Sequence, residues 1–291
     1  MTVLALLLVL GAALAHATWN LLLKRSGRPL IYTWNICVAG TIATLPVASY
    51  VLVGSSISLT GWGFFLGTAI IHAFYFTLLA QAYEHGDMSL VYPLARGMGV
   101  ALTPIGAVLI LGEHITLPQG LGIAGIVLGL LILQIPPDLS RQTLAAHFRP
   151  AAGLIFAVVT GVTIATYSLW DKVGVSHVPP LLYVTGAFLG PAISMSWMLR
   201  RRVGTLIAVW RAHPATMGAG AVLSPLAYSL ALVALSIGQV SQVAPLREVG
   251  VVIGTILGIV ILRESSPVPR IGGAVVIALG AIVLAFSSVT V

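Results

Sequence analysis

Uncharged apolar runs of about 20 residues recur from end to end of this chain, each long enough to cross ~30 Å of hydrocarbon as a helix. The residues are 58% hydrophobic and only 7% charged, where a water-soluble surface needs roughly 25%. Mean hydropathy is +1.06. The alternating apolar/polar pattern of an outer-membrane barrel is absent. The sequence therefore reads as an all-α polytopic membrane protein. Its first run ends near Ala15-His16-Ala17, which resembles a cleavage site, but Met1-Thr2-Val3 carries no basic side chain. That argues against a signal peptide, and the run is kept as a helix.

Ten segments follow from the Gly, Pro and charge punctuation, at about 3–23, 31–53, 61–83, 89–111, 118–135, 151–171, 179–199, 214–235, 241–262 and 270–288. The longest hydrophilic stretch, Pro136 to Pro150, cuts the chain nearly in half. The expected organisation is a first half 1–135, a connecting loop 136–150 and a second half 151–291.

The halves are related. ATWNLLLK (17–24) matches ATYSLWDK (165–172), setting Trp19 against Tyr167 and Lys24 against Lys172. VYPLARGMG (91–99) matches VAPLREVG (243–250) if one residue is skipped, pairing Pro93 with Pro245 and Arg96 with Arg247. LGEHITLPQGLG (111–122) matches LRESSPVPRIGG (262–273), pairing Glu113 with Glu264. Such self-similarity marks a structural repeat. Five segments per half is odd, so the second copy is expected upside down relative to the first. The result is a ten-helix, five-plus-five inverted repeat around a central cavity, an architecture used for alternating access.

The net charge of +7 reads as membrane topology, with no nucleic-acid partner. Loops after odd-numbered segments hold Lys24, Arg25, Arg28, Arg141, Arg149, Arg200, Arg201, Arg202, Arg211, Arg263 and Arg270, whereas the opposite loops hold only Lys172. Basic loops stay cytoplasmic, so both termini are expected to be periplasmic. Cys37 is the single cysteine, which excludes an intrachain disulfide.

The polar first helix ending in Lys24, the Pro93 helix and the LGE…PQGLG passage at 111–122 resemble the drug/metabolite transporter superfamily, in its ten-helix EamA-type branch. The resemblance covers both halves. It implies a central cavity between them, peripheral fifth and tenth helices, and export of amino acids and other metabolites. The sequence departs from the family's habit in placing its basic cluster after the first segment instead of the second.

Polar groups inside a bilayer cost several kcal/mol unless they meet water or a partner, so each is a site candidate. His16, Trp19 and Asn20 share a face of the first segment by their i, i+3, i+4 spacing. His72 and Tyr75 do the same on the third, and Tyr92, Arg96 and Tyr228 complete the set expected to line the cavity. A guanidinium fork suits a substrate carboxylate. For Arg96 that role and a packing ion pair stand level, because no acid is adjacent in sequence. Arg247 is expected to pair with its neighbour Glu248, and Asp171 with Lys172. Lys24, Pro93, Asp171, Lys172, Pro245, Arg247 and Glu248 are accordingly read as structural or gating residues.

Of seven acidic residues, none stands out as an unpaired carboxylate in mid-membrane. This disfavours cationic substrates and proton coupling through a carboxylate, leaving histidine as the titratable alternative. No P-loop, HExxH or GxSxG occurs, and no metal or cofactor is expected. The reading is a monomeric secondary transporter or facilitator of the bacterial inner membrane, exporting small zwitterionic metabolites, above all amino acids. Uptake or export of other organic solutes is the alternative within transport. The rivals from other classes are a membrane-embedded enzyme acting on lipid-linked substrates and a structural or channel subunit.

Overall fold

The computed structural model describes residues 1–26, 28–85, 88–135, 152–262 and 268–288, and all its regular structure is helical. The first half supplies α1 (Val3–Arg25), α2 (Pro29–Val53), α3 (Leu59–His85), α4 (Met88–Leu111) and α5 (Leu117–Ile132). The second supplies α6 (Ala152–Gly174), α7 (Pro180–Leu199), a 3-10 turn at Arg200–Arg202, α8 (Val203–Ala212), α9 (Pro214–Ile237), α10 (Val240–Leu246), α11 (Val249–Leu262) and α12 (Val268–Ser288). Among the described residues nine helical stretches are long and apolar enough to cross a membrane, α10 and α11 counting together as one. The chain is an integral membrane protein.

Three segments differ from expectation. The fifth is only 16 residues of helix, about 24 Å at 1.5 Å per residue, shorter than a full crossing. The short α8 was not foreseen. It follows Arg200, Arg201 and Arg202, buries Leu206 and Val209, and exposes Ile207. The ninth segment is broken at Arg247–Glu248, between α10 and α11. Here the second half has one residue fewer than the matching stretch of α4, and one residue rotates everything after it by about 100° around a helix. Pro245 contributes no N–H to the turn. The Arg247 N–H donates to Val243 and Pro245 carbonyls, and the Glu248 N–H donates to the Pro245 carbonyl at 3.0 Å. Matching α4, by contrast, stays helical through Pro93 and Pro104.

The packing of the helices mirrors the sequence repeat. α1 packs on α9 and on α10/α11, as α6 packs on α3 and on α4. α2 meets α7, and α5 meets α12, each pair being its own counterpart. Small residues set the closest approaches. A Cβ on Gly122 would lie 2.7 Å from the Leu284 nitrogen, and one on Gly129 2.7 Å from the Gly273 carbonyl oxygen. Glycine therefore lets α5 and α12 touch through backbone, as small residues do between membrane helices. Of the glycines at 250, 254 and 258, Gly250 meets Ala13 of α1, whereas Gly254 has nothing within 4 Å.

The Met1 amino group donates to the Ser288 carbonyl, so the start of α1 and the end of α12 share one face. Gly238, at the α9–α10 junction, lies near Ala5 on that same face.

Candidate functional site

Arg96 is buried in α4, 6% exposed, and Glu248 at the α10–α11 break is 1% exposed. The Arg96 Nε–H donates to Glu248 Oε2 at 3.3 Å, and its Nη2 donates to Oε1. This two-point ion pair joins the halves. It overturns the expected Arg247–Glu248 pair: neighbouring residues at a helix break point apart, and the fork of Arg96 reaches the carboxylate from across the interface.

Arg247 is left half-buried, and its guanidinium makes no hydrogen bond or ion pair among the described residues. Its guanidinium carbon lies 5.5 Å from the centre of the Tyr228 ring. His16, His72 and Tyr167 fall within its electrostatic reach. The unsatisfied cation is thus the reverse of the one that sequence adjacency suggests.

Asp171 does not pair with Lys172 either. The Lys172 ammonium turns to the end of α9 and donates to the Leu235 and Gly238 carbonyls at 2.7 and 2.6 Å, where the last carbonyls of a helix lack partners. Asp171, fully buried, instead accepts hydrogen bonds from hydroxyls on three helices. Thr68 of α3 donates to Oδ1 at 2.7 Å, Tyr183 of α7 donates to Oδ1 at 3.0 Å, and Tyr228 of α9 donates to Oδ2. Gly174 makes room for this, since a Cβ there would lie 2.3 Å from the Tyr183 hydroxyl. The sequence offers no unpaired carboxylate in mid-membrane; in the fold Asp171 is a fully buried carboxylate held by three hydroxyls in place of Lys172. Asp171 looked like the end of a helix, and only tertiary packing closes three hydroxyls over it.

His72, at the middle of α3, completes the cluster. Its ring lies 4.5 Å from that of Tyr167, and its Nε2 is 3.0 Å from the Tyr228 oxygen and 4.0 Å from Asp171 Oδ2. Tyr75 meets both His72 and Tyr167 edge-on. On α1 His16 and Trp19 form an edge-on pair at 5.0 Å. The Trp19 Nε1–H is buried and unpartnered, while the Asn20 amide is occupied with the His16 carbonyl at 2.8 Å. Six of the eight expected cavity residues, His16, Trp19, His72, Tyr75, Arg96 and Tyr228, thus lie around the contact of α1, α3, α4, α6, α9 and α10. Asn20 turns back on its own helix. The Tyr92 side chain, like those of Lys24 and Glu264, lies outside the described residues. Thr68, Tyr167 and Tyr183 were missed, although Tyr167 is the repeat counterpart of Trp19.

A second polar locus lies toward the shared face of the termini. Gly112, at φ +67°, ends α4 in the left-handed turn that glycine tolerates. The turn delivers Glu113 to the start of α10. Its carboxylate accepts the Val240 and Ser241 N–H groups at 2.9 Å each and the Ser241 hydroxyl at 2.5 Å, complementing the positive end of that helix. With Lys172, His114 and Gln239 it borders a cavity of about 500 Å³.

Among the described residues no group of three His, Cys, Asp or Glu side chains is placed to hold a metal.

No curated protein matches the sequence. The fold superposes on a crystal structure of a protein sharing 16% identity, with a TM-score of 0.76 over 99% of this chain and 98% of that one; at that identity the likeness concerns the fold alone. The model of the EamA-like transporter family matches residues 3–135 and again 151–286. A duplicated match over both halves, on an all-helical fold with membrane-spanning helices, makes the chain a member of the EamA-like transporter family, membrane transporters of small solutes and not enzymes.

Proposed function

We propose that the protein exports small zwitterionic metabolites, amino acids first among them, across the bacterial inner membrane by alternating access. The observation that carries this reading is Arg247. It is a half-buried guanidinium without a hydrogen bond or ion pair among the described residues, at a helix break, above the Tyr228 ring. A permanent charge held at such a place demands an anion, and a planar fork fits a carboxylate at two points. Broken helices are where transporters hold substrate and ions. Trp19, with its unpartnered indole N–H, and Tyr75 and Tyr228 supply the apolar walls and few polar groups of a small-molecule site.

The ten-crossing, five-plus-five inverted arrangement, with units 1–135 and 151–291, belongs to the same proposal. It is supported by the mirrored packing pairs and by the start of α1 and the end of α12 lying on one face. The arginine-poor loops on that side support an outside orientation for it. There Glu113 and Lys172 act as the closed gate. Arg96 and Glu248 hold the halves together and do not touch substrate. The test is flux of labelled amino acids through proteoliposomes, run as a panel with and without a pH gradient. Saturable flux of neutral amino acids supports the reading; flux confined to cations, or none, removes it.

A further inference from the structure

Where α2 packs on α7, the two halves leave a groove on the outer surface of the bundle. It holds about 570 Å³ and runs past Val38 and Ile42 of α2 and Ile193, Ser196 and Trp197 of α7, ending at Arg200. Ile42, Ile193 and Trp197 are exposed, Trp197 by 70%. The polar atoms inside the groove are already engaged. Ser196 Oγ accepts the Trp34 Nε1–H at 2.9 Å, and the Thr41 hydroxyl donates to the Cys37 carbonyl at 2.7 Å. Below Arg200 the groove therefore offers hydrocarbon only. Ile193 lies seven residues before Arg200, about 10 Å along a helix, which stays within one leaflet of a bilayer whose core is ~30 Å thick.

The mouth of the groove is built. The Arg200 guanidinium lies over the Trp197 ring, 4.1 Å from its centre, and Nη1 donates to the Trp197 carbonyl at 2.7 Å. Stacking on an aromatic face holds the cation in place and leaves its other N–H groups to a ligand. Arg201 and Arg202 follow on the same 3-10 turn, all three exposed, and among the described residues none of them forms an ion pair. The chain then folds back as α8, which buries Leu206 and Val209 in one cluster with Leu23, Ile31 and Leu199, Trp210 packing at its edge. A short helix with an apolar side held down and basic residues exposed lies along a membrane interface. It keeps the arginines at headgroup depth, with Trp197 and Trp210 at the level of an aromatic belt.

We propose that this groove binds an anionic phospholipid, one acyl chain lying against Ile42, Ile193 and Trp197 and the phosphate held by Arg200 and its two neighbours. A guanidinium fork takes a phosphate at two points, and a run of unpaired arginines beside an apolar groove selects a lipid that carries net negative charge. A zwitterionic headgroup brings its own cation to the cluster and is repelled in part. A free phosphate finds only exposed cations and leaves the groove empty. The lipid touches both halves, Val38 and Ile42 in the first and Ile193 and Arg200 in the second, and so closes the seam between α2 and α7 from the membrane side. The site is separate from Arg247 and stands whatever solute the protein carries.

The test uses the full chain in phosphatidylcholine vesicles and reads tryptophan fluorescence. Phosphatidylglycerol brominated on its acyl chains is titrated in, and phosphatidylcholine with the same brominated chains is the control. Quenching of wild type by the glycerol lipid should saturate at a mole fraction lower by roughly 5-fold or more, the worth of one arginine near an anionic headgroup. Trp197→Phe should lose the saturable component. Arg200→Gln should lower the preference roughly 5-fold, and Arg200→Lys should keep part of it; size exclusion shows that each variant is folded. Equal quenching of wild type by the two lipids would mean a non-selective lipid shell and overturn the proposal. A preference unchanged in both Trp197→Phe and Arg200→Gln would place the anionic lipid elsewhere and overturn it too. So would loss of the preference on adding inorganic phosphate at constant ionic strength, since the occupant would then be an anion alone.

Discussion

Arg96→Ala leaves a carboxylate with 1% exposure and no counter-charge in the interface between the halves. Breaking one side of a buried pair costs roughly 3–5 kcal/mol, because the surviving charge stays desolvated. An independent route gives the same scale. Arg96 makes two hydrogen bonds to Glu248, and bonds to charged groups contribute about 1.5–3 kcal/mol each. For a chain of this size that is on the order of a 10 °C loss in apparent melting temperature. Glu248→Ala should cost as much, and the double change Arg96→Met/Glu248→Met should recover most of it, since an apolar replacement removes both desolvated charges. The assay is fluorescence-detected size-exclusion after a heating series, with flux per folded molecule measured on the same preparations. The expected pattern is two destabilised single variants, a restored double variant, and near-normal flux per folded molecule throughout. Full stability with abolished flux in Arg96→Ala would refute the reasoning and put Arg96 on the substrate.

Two further outcomes follow from packing and topology. A Cβ on Gly190 would fall 1.8 Å from the Ala69 carbonyl oxygen, so Gly190→Ala must part α3 from α7; it should cost about 1–3 kcal/mol or more. Gly218→Ala, with nothing within 4 Å, should be neutral or stabilising by up to about 1 kcal/mol, and the same melting series compares them. A green fluorescent protein fused at the C-terminus should stay dark, because that fusion is expected outside; bright cytoplasmic fluorescence would invert the assigned orientation.

Helix positions were legible in the sequence because hydropathy alone specifies them, and the observed ends fall within a few residues of the expected ones. The repeat was legible too, and its skipped residue marks the very place where α10 gives way to α11. What the sequence could not display is which charge meets which. Adjacency paired Arg247 with Glu248 and Asp171 with Lys172. In the fold, each of these partners is taken by another helix: Arg96 reaches Glu248, the α9 carbonyls hold Lys172, and three hydroxyls enclose Asp171. A linear reading sees a charge's neighbours along the chain, whereas burial inside a bilayer selects its partners across helices. The aromatic residues fared better, since helical spacing does determine which of them share a face, as for His72 with Tyr75 and His16 with Trp19.

The central claim is that Arg247 reads a substrate carboxylate. Its most direct measurement compares binding of a transported neutral amino acid with that of its carboxamide, in which the anion is gone, to wild type, Arg247→Lys and Arg247→Ala. Wild type should prefer the acid by roughly 10- to 100-fold, the worth of a charge-assisted contact of about 1.5–3 kcal/mol. Arg247→Lys should keep part of that preference, having the charge without the fork, and Arg247→Ala should lose it while remaining folded. An Arg247→Ala protein that still prefers the acid by the wild-type margin would contradict the account.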